Sequence, residues 1–217
     1  LNALHNSDRV LGKLVRKLED QQLLDSTLVV VVSDHGEAFG RHQQFIHASK
    51  IYEENVHIPL ILIQPALFSG NEYETIGGLV DLAPTIMHIL NRPVPAQWQG
   101  RSFFNARKTN RTYFFAAYSS FLFGYREGDQ KYILNGTFRS ETRDRLPGGE
   151  RPAALKKGNR LNEAKQEKNE IYDLGEDPTE MANLSDRLPD AVSRGQQRLA
   201  AWVQYQNKFI NSLLVEK

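Results

Sequence analysis

The sequence predicts an α/β fold followed by a smaller α+β part. Three observations predict it: a helical pattern at the start of the chain, apolar runs of strand length behind it, and an aromatic-rich region after residue 106. A helix followed by unbroken β-branched runs is the usual order of an α/β protein. We therefore divide the 217 residues into an α/β domain, 1–105, and an α+β subdomain, 106–217.

Leu11, Leu14, Val15 and Leu18 recur at helical spacing and predict an amphipathic first helix over residues 2–22. Strands are predicted at residues 27–32 and 57–63, with a shorter one near 73–76. Because unbroken apolar strands are usually buried on both faces, we expect them to form a parallel sheet under helices. A further helix is expected to run from Asp81 to about Leu90, with Leu82, Ile86, Ile89 and Leu90 facing inward.

The second half predicts an antiparallel meander that ends in a helix. The last helix begins at Pro189, and its buried side is expected to contain Val192, Leu199, Trp202, Val203 and Phe209. The predicted strands are residues 112–118, 121–126, 131–134 and 171–174.

Composition narrows the function classes. Lys and Arg number 27 against 26 Asp and Glu, so the net charge of +1 gives no support to nucleic-acid binding. The absence of cysteine excludes disulfides, cysteinyl metal sites and a cysteine nucleophile within these residues. No apolar run reaches the length of a membrane span. The chain begins at Leu1 inside a helical pattern, so we expect it to be a piece of a longer protein.

Residues 33–37, S-D-H-G-E, follow directly on the first predicted strand. Ligands of open α/β sheets bind at the carboxyl ends of strands. Asp34 supplies a hard oxygen and His35 a neutral nitrogen, which together suit a divalent metal. The structural alternative is that Asp34 caps a helix and His35 is an ordinary loop histidine.

Four of the six histidines lie between residues 35 and 57. Imidazoles gathered behind a strand can bind an oxyanion when protonated, or move a proton. For His42 this function and a plain hydrogen-bonding role both stay open. His57, inside a predicted strand, is interpreted as structural.

These residues carry a family resemblance. The strand with S-D-H-G-E, then Gly40, His42 and His47, then Tyr52-Glu53-Glu54 and Ile58–Ile61, resembles a segment of the sulfatase family, within the alkaline-phosphatase-like superfamily. Residues 80–86 are similar to its D-L-x-P-T helix, and 170–184 to its E-L-Y-D-L…D-P-x-E-x-x-N-L tail. The helix before the first strand also matches, at residues 8–12.

The resemblance implies the C-terminal half of a sulfatase: part of an αβα sandwich, then an antiparallel sheet of about four strands with a C-terminal helix. It implies that Asp34 and His35 bind a divalent metal, with Ca²⁺ preferred and Mg²⁺, Mn²⁺ or Zn²⁺ as alternatives. His35 and His47 would bind the substrate anion, and His47 and His42 would be catalytic. The implied substrate is a sulfated or phosphorylated small molecule, glycan or lipid headgroup, and the implied location is extracytoplasmic, periplasmic or membrane-tethered through an upstream anchor.

One departure from the family is large. Sulfatases use a formylglycine made from C/S-x-P-x-R, and no such motif can be read here. We therefore expect the nucleophile upstream and this chain alone to be inactive. Two alternatives stay open: a membrane-anchored phosphoethanolamine or phosphoglycerol transferase of the same superfamily, and a non-catalytic binding module.

Two surface features complete the predictions. The charged residues 139–170 are expected to form a mobile loop, either a solvated insertion or a contact for an anionic substrate. The strand at residues 29–32 is expected to be an exposed edge or to pair with another copy of the chain, which would allow self-association.

Overall fold

The chain forms two compact units in the computed structural model. The first contains Leu1–His35 and His57–Glu74, and the second contains Gly36–Val56 and Thr75–Lys217. The structure describes residues 2–45, 47, 49–117, 121–136 and 168–215. The backbone therefore passes from one unit to the other directly after His35, whereas the domain boundary at residue 105 stays a prediction.

The first unit contains one helix and two strands. Helix α1 covers Asn2–Asp20, which confirms the predicted helix, but it ends two residues earlier than predicted, before Gln22, whose φ is 57°. Strand β1 is Val29–Val32 and strand β2 is Leu60–Ile63. A 3₁₀ turn at Leu24–Ser26 connects α1 to β1.

The predicted parallel pairing of these strands is wrong. β1 and β2 are antiparallel, with Val29 opposite Ile63 and Val32 opposite Leu60. Composition marks a strand as apolar, but the connection decides its direction, and parallel neighbours need a crossover connection that is usually a helix. The described residues between 33 and 59 form no α-helix longer than four residues. The short strand expected near residues 73–76 is absent, since these residues form no ladder.

β1 is an edge strand. Among the described residues, its sheet has two strands, so β1 has a strand partner on one side only. Its residues are half-buried rather than buried on both faces, and Val32 is exposed. Within the described residues β1 therefore has the position of the predicted edge strand, and pairing with another copy of the chain stays a prediction.

A four-stranded antiparallel sheet dominates the second unit and confirms the predicted meander. Its order along the sheet is the order along the chain. A two-residue turn joins the middle pair, in which Gly128 has a φ of 58°, a conformation that glycine adopts without steric cost. The strands are β3 (Arg111–Ala116), β4 (Phe121–Glu127), β5 (Gln130–Gly136) and β6 (Asn169–Asp173).

Both faces of this sheet are covered. Alternation of side chains sends Leu122, Ile133 and Tyr172 to one face, where Ile51 and Tyr52 pack on them. The other face packs against the last helix through a second cluster: Tyr125, Tyr132, Ile171, Ala191 and Leu199. The segment that carries two of the predicted site histidines is therefore connected to one face of the sheet.

The described part of this unit contains three α-helices. They are α2 (Glu53–Val56), α3 (Leu82–Ile89) and α4 (Pro189–Val215). The five residues predicted for the buried side of α4 are all buried or half-buried. On α3 the inward prediction is wrong for Leu90, which is 55% exposed because it lies beyond the last turn of the helix.

Parts of two predictions lie outside the described residues. These are the predicted loop up to residue 167 and the end of the first meander strand at Tyr118.

Candidate active site

Asp34 and His35 lie two and three residues beyond the end of β1, in the first unit. The backbone N–H of His35 donates to Oδ1 of Asp34 at 3.0 Å, and the Ser33 hydroxyl donates to the His35 carbonyl at 2.6 Å. These bonds fold the two side chains toward each other, with His35 Nε2 3.7 Å from Asp34 Oδ2. Both side chains reach solvent, with exposures of 48% for His35 and 85% for Asp34. A carboxylate oxygen and an imidazole nitrogen thus converge at the carboxyl end of the strand.

Gly36 begins the second unit at a point where no other residue fits. A Cβ built on it would lie 2.1 Å from the carbonyl oxygen of Glu54, well inside van der Waals contact. The Gly36 N–H donates to the Asn55 carbonyl at 2.9 Å. This close approach fixes the first residue of the histidine loop, residues 36–49, against α2.

The histidine loop has a strained backbone. Phe39, Gly40, His42 and Gln43 all have positive φ, at 49°, 95°, 45° and 57°. Each non-glycine residue in the left-handed region costs on the order of 1–3 kcal/mol and persists only where its surroundings hold it. Three such residues within five positions therefore need strong contacts nearby.

His42 makes those contacts. Its Nδ1 lies 2.7 Å from Oε1 of Glu54, and its Nε2 lies 3.0 Å from the backbone carbonyl of Glu180. Its ring stacks on Tyr52 with centroids 3.9 Å apart. The side chains of His42 and Glu54 are both largely buried. Both ring nitrogens thus have protein partners, and the catalytic role assigned to His42 stays a prediction.

His47 lies five residues further along the same loop. Its Nδ1 is 3.0 Å from Oε2 of Glu37, and half of its side chain is exposed. The other oxygen of Glu37 accepts the Ala38 N–H at 3.3 Å. A carboxylate at Nδ1 orients the ring, which is the arrangement that directs the second nitrogen of a catalytic or ligating histidine. Its predicted role in binding the anion has the geometry it needs but stays a prediction.

A buried ionic cluster lies behind the loop. Lys131 on β5 is fully buried and lies 2.9 Å from Oε1 of Glu53 and 2.8 Å from Oε1 of Glu180. The latter contact is an ion pair by distance, although its angles are poor for a hydrogen bond. Arg126 also binds Glu53, at 2.8 Å. Burial raises the pKa of the Glu180 carboxyl, and the Lys131 ammonium opposes that rise.

A second buried carboxylate lies on the same face of the sheet. The hydroxyls of Tyr52 and Tyr172 each donate to Oε2 of Glu170 at 2.7 Å, and the Asn135 amide donates to its other oxygen at 2.5 Å. Burial, and then the nearby Glu170 charge, raise the pKa of both tyrosines. Burial lowers the pKa of Lys50 at the end of the loop. The ring on which His42 stacks is therefore itself held in place.

Each unit contains two of the residues predicted for the site. Asp34 and His35 converge in the first, and His42 and His47 share one loop in the second, while His57 is an exposed residue before β2. Within the described ranges, no three His, Asp or Glu side chains gather as a metal site would require. Asp34 offers a carboxylate oxygen and His35 an imidazole nitrogen, which are both donor types that bind divalent cations. Two donors are only part of a ligand shell, and their role as metal ligands stays a prediction.

Sequence reasoning did not assign the residues that hold the histidines. Glu37, Glu54, Glu180 and Lys131 had no predicted role. Three of them stood in the motifs that carry the resemblance, S-D-H-G-E, Y-E-E and D-P-x-E. Their spacing in the sequence gave no sign that residues 42 and 180 touch.

Comparison with known proteins shows which family the chain resembles. Residues 1–91 match the sulfatase family model. Arylsulfatase K of Canis lupus familiaris is 26% identical over 207 residues, which are 92% of this chain and 35% of that protein. This chain is similar to members of the sulfatase family. It spans about a third of the length of the curated relatives it matches.

Solved structures show the same fold. A putative sulfatase of Bacteroides fragilis superposes with a TM-score of 0.71 at 19% identity, covering 94% of this chain and 41% of that one. A second neighbour, solved in complex with its substrate D-glucosamine-2-N,6-O-disulfate, gives 0.68 at 24% identity, covering 94% and 39%. The chain therefore has the predicted α/β architecture. No helix within its described ranges has the length and apolarity of a membrane span.

Proposed function

We propose that this chain forms part of a metal-dependent enzyme that hydrolyses sulfate esters. The observation that carries the proposal is the match of residues 1–91 to the family model, over a stretch in which Asp34 and His35 converge to 3.7 Å. The family match supports the reaction class, and the exposed donor pair supports the site.

The proposed metal ligands are Asp34 and His35. A carboxylate oxygen is the donor that Ca²⁺ prefers, and the imidazole nitrogen also permits Mn²⁺ or Zn²⁺, with Mg²⁺ as a further alternative. A bound divalent cation neutralises an anionic ester and lowers the pKa of a coordinated hydroxyl. The role of this chain is to supply two of the ligands, with His35 also contacting the sulfate.

His47 is the proposed anion-binding and catalytic histidine. A protonated imidazole stabilises negative charge that develops on the ester oxygen in the transition state. Glu37 holds Nδ1 at 3.0 Å, so the ring is oriented before the substrate arrives.

The proposed substrate is a sulfated glycan or small molecule. One structural neighbour binds a disulfated glucosamine, which supports this class over a phosphorylated lipid headgroup. An extracytoplasmic location, periplasmic or membrane-tethered, belongs to the same proposal, as does self-association through the open edge of β1.

The test uses the longest natural protein that contains this chain. We expect turnover of 4-nitrophenyl sulfate that chelation abolishes and Ca²⁺ restores, and a loss of at least about a hundredfold in kcat for Asp34→Asn and His47→Ala. His5→Ala, on the exposed surface of α1, is the matched control and should keep full activity. The 217-residue chain alone should show no turnover.

Two outcomes would contradict the proposal. Faster turnover of 4-nitrophenyl phosphate than of the sulfate ester would favour the phosphotransferase alternative. Calcium-independent binding of sulfated glycans without turnover of either ester would favour the binding module.

A further inference from the structure

We propose that His42 is a positioning residue, which fixes the histidine loop to the C-terminal segment at Glu180 and thereby places His47. The proposal rests on the anion-binding role proposed above for His47. It replaces the catalytic role that the histidine pattern suggested for His42 with a different one.

The partners of the two ring nitrogens of His42 determine where its protons lie. The Glu180 carbonyl at 3.0 Å can only accept, so Nε2 must bear a hydrogen. The second proton lies on the 2.7 Å line between Nδ1 and Oε1 of Glu54, on either atom. In both forms the pair is neutral overall and both ring nitrogens are occupied. Neither is available to take a proton from a substrate.

The strained backbone of the histidine loop is held by contacts of the His42 side chain. His42 itself has a φ of 45°, and Phe39 and Gln43 on either side are also left-handed. Three backbone hydrogen bonds are found among the described residues near the strained positions: Gly40 N–H to the Gln44 carbonyl, Arg41 N–H to the Ala38 carbonyl and Gln44 N–H to the Arg41 carbonyl. The side chain of His42 adds two hydrogen bonds and a stacked ring, so its contacts hold the strained conformation in place.

Glu180, which accepts the hydrogen bond from His42, has several contacts of its own. Glu180 is buried, its carboxylate accepts the Glu53 N–H, and its second oxygen lies against Lys131. Its backbone N–H donates to the Asp177 carbonyl at 3.1 Å. A hydrogen bond from His42 to this carbonyl therefore connects the loop to a residue that has several contacts of its own.

The consequence for His47 is positional. The loop is attached at Gly36 by its close approach to α2 and at His42 by the contacts above, five residues before His47. Without the second attachment, the segment around His47 samples more conformations, and an anion bound there loses affinity through the added ordering cost.

The experiment compares three variants of the 217-residue chain with the wild type: His42→Ala, His42→Gln and Glu54→Ala. Glutamine keeps an N–H donor that reaches the Glu180 carbonyl, so it is the conservative variant. His5→Ala is the matched histidine control. The first readout is the rate of tryptic cleavage after Arg41, an exposed loop residue, relative to global unfolding measured by circular dichroism. The second is the shift of the His47 ring resonances on titration with inorganic sulfate.

For His42→Ala we expect at least tenfold faster cleavage after Arg41 with folding retained, and at least tenfold weaker sulfate binding. His42→Gln should recover most of both changes. Glu54→Ala should give a smaller effect in the same direction, and it serves as the test if His42→Ala does not fold.

Three outcomes separate this proposal from its rivals. Unchanged cleavage in both His42→Ala and Glu54→Ala would overturn it. Lost sulfate binding with unchanged cleavage would also overturn it, because His42 would then contact the anion itself. If the wild type shows no response to sulfate, the proposed anion site fails, while the cleavage rates still decide whether His42 fixes the loop.

Discussion

Lys131→Met tests whether the buried ionic cluster holds the second unit together. The ammonium of Lys131 is fully buried and lies within 3 Å of two carboxylates, those of Glu53 and Glu180. Methionine keeps most of the volume and removes the charge. Arg126 still neutralises Glu53, but Glu180 loses its cation and stays buried.

Removing one partner of a buried ion pair costs about 3–5 kcal/mol, because an uncompensated charge is left behind. We expect a loss of that size in the free energy of unfolding, measured by urea denaturation with near-ultraviolet circular dichroism of the tyrosines. The double variant Lys131→Met, Glu180→Gln should recover at least half of the loss. Lys208→Met, on the exposed side of α4, is the matched control and should change stability by less than about 0.5 kcal/mol.

The loss should also depend on pH. Burial already raises the pKa of Glu180, and removing Lys131 takes away the opposing charge. A carboxyl whose pKa is higher in the folded than in the unfolded state stabilises the fold at low pH, and loses that contribution as the pH rises through the folded value. The deficit of Lys131→Met should therefore shrink from about pH 7 to about pH 5. A loss under about 1 kcal/mol, or one equal at both pH values, would refute the reasoning.

Three further predictions concern packing and ionisation in the second unit. Gly36→Ala should lower the melting temperature and cost about 3 kcal/mol, because its Cβ would meet the Glu54 carbonyl at 2.1 Å. Tyr52→Phe should cost about 1.5–3 kcal/mol in urea denaturation, because Glu170 loses a hydrogen bond to a charged group. Burial raises the pKa of Tyr132 to about 12, against about 10 in the unfolded chain. Stability should thus be lost as the pH rises through about 12, and a phenolate absorbance titration should lose the step near pH 12 in Tyr132→Phe.

Controls for these predictions come from exposed positions on the same chain. Gly70→Ala has no atom near its Cβ, although its positive φ adds a small cost, so it should destabilise less than Gly36→Ala. Tyr205→Phe, on the exposed side of α4, should leave stability unchanged. If Gly36→Ala or Tyr52→Phe behaves like its control, the tight approach or the hydrogen bond assigned to it does not contribute.

Periodicity predicted most elements of this chain and the antiparallel meander, but not the direction of β2 relative to β1. The strand-length runs at residues 29–32 and 60–63 are strands, and the meander and final helix lie where alternation and helical spacing place them. The apolar run of β1 could not predict an antiparallel partner, because a run of valines looks the same in either direction. Direction depends on the connection, and most of it, residues 36–56, belongs to the other unit.

The candidate site also has one part that the sequence predicted and one part that it did not. Local sequence predicted that Asp34 and His35 would converge, since the two residues are adjacent and follow a strand. The surroundings of His42 could not be predicted, because its Nε2 partner is 138 residues away and is a backbone carbonyl, which has no sequence signature. The partner of His47, Glu37, is only ten residues upstream in the sequence. A loop has no periodicity, however, from which this contact could be inferred.

The contact between His42 and Glu180 has a consequence for the order in which a ribosome completes this protein. Synthesis proceeds from the N-terminus, so the histidine loop leaves the exit tunnel long before the strands on which it packs. The carbonyl that receives the His42 N–H does not exist until residue 180 has been joined, and the sheet beneath Tyr52 is incomplete until β6 has paired. The histidine loop of a nascent chain therefore lacks this hydrogen bond until residue 180 has been joined. A chain truncated between residues 47 and 180 still contains His42 and His47 but lacks the hydrogen bond between His42 and the Glu180 carbonyl.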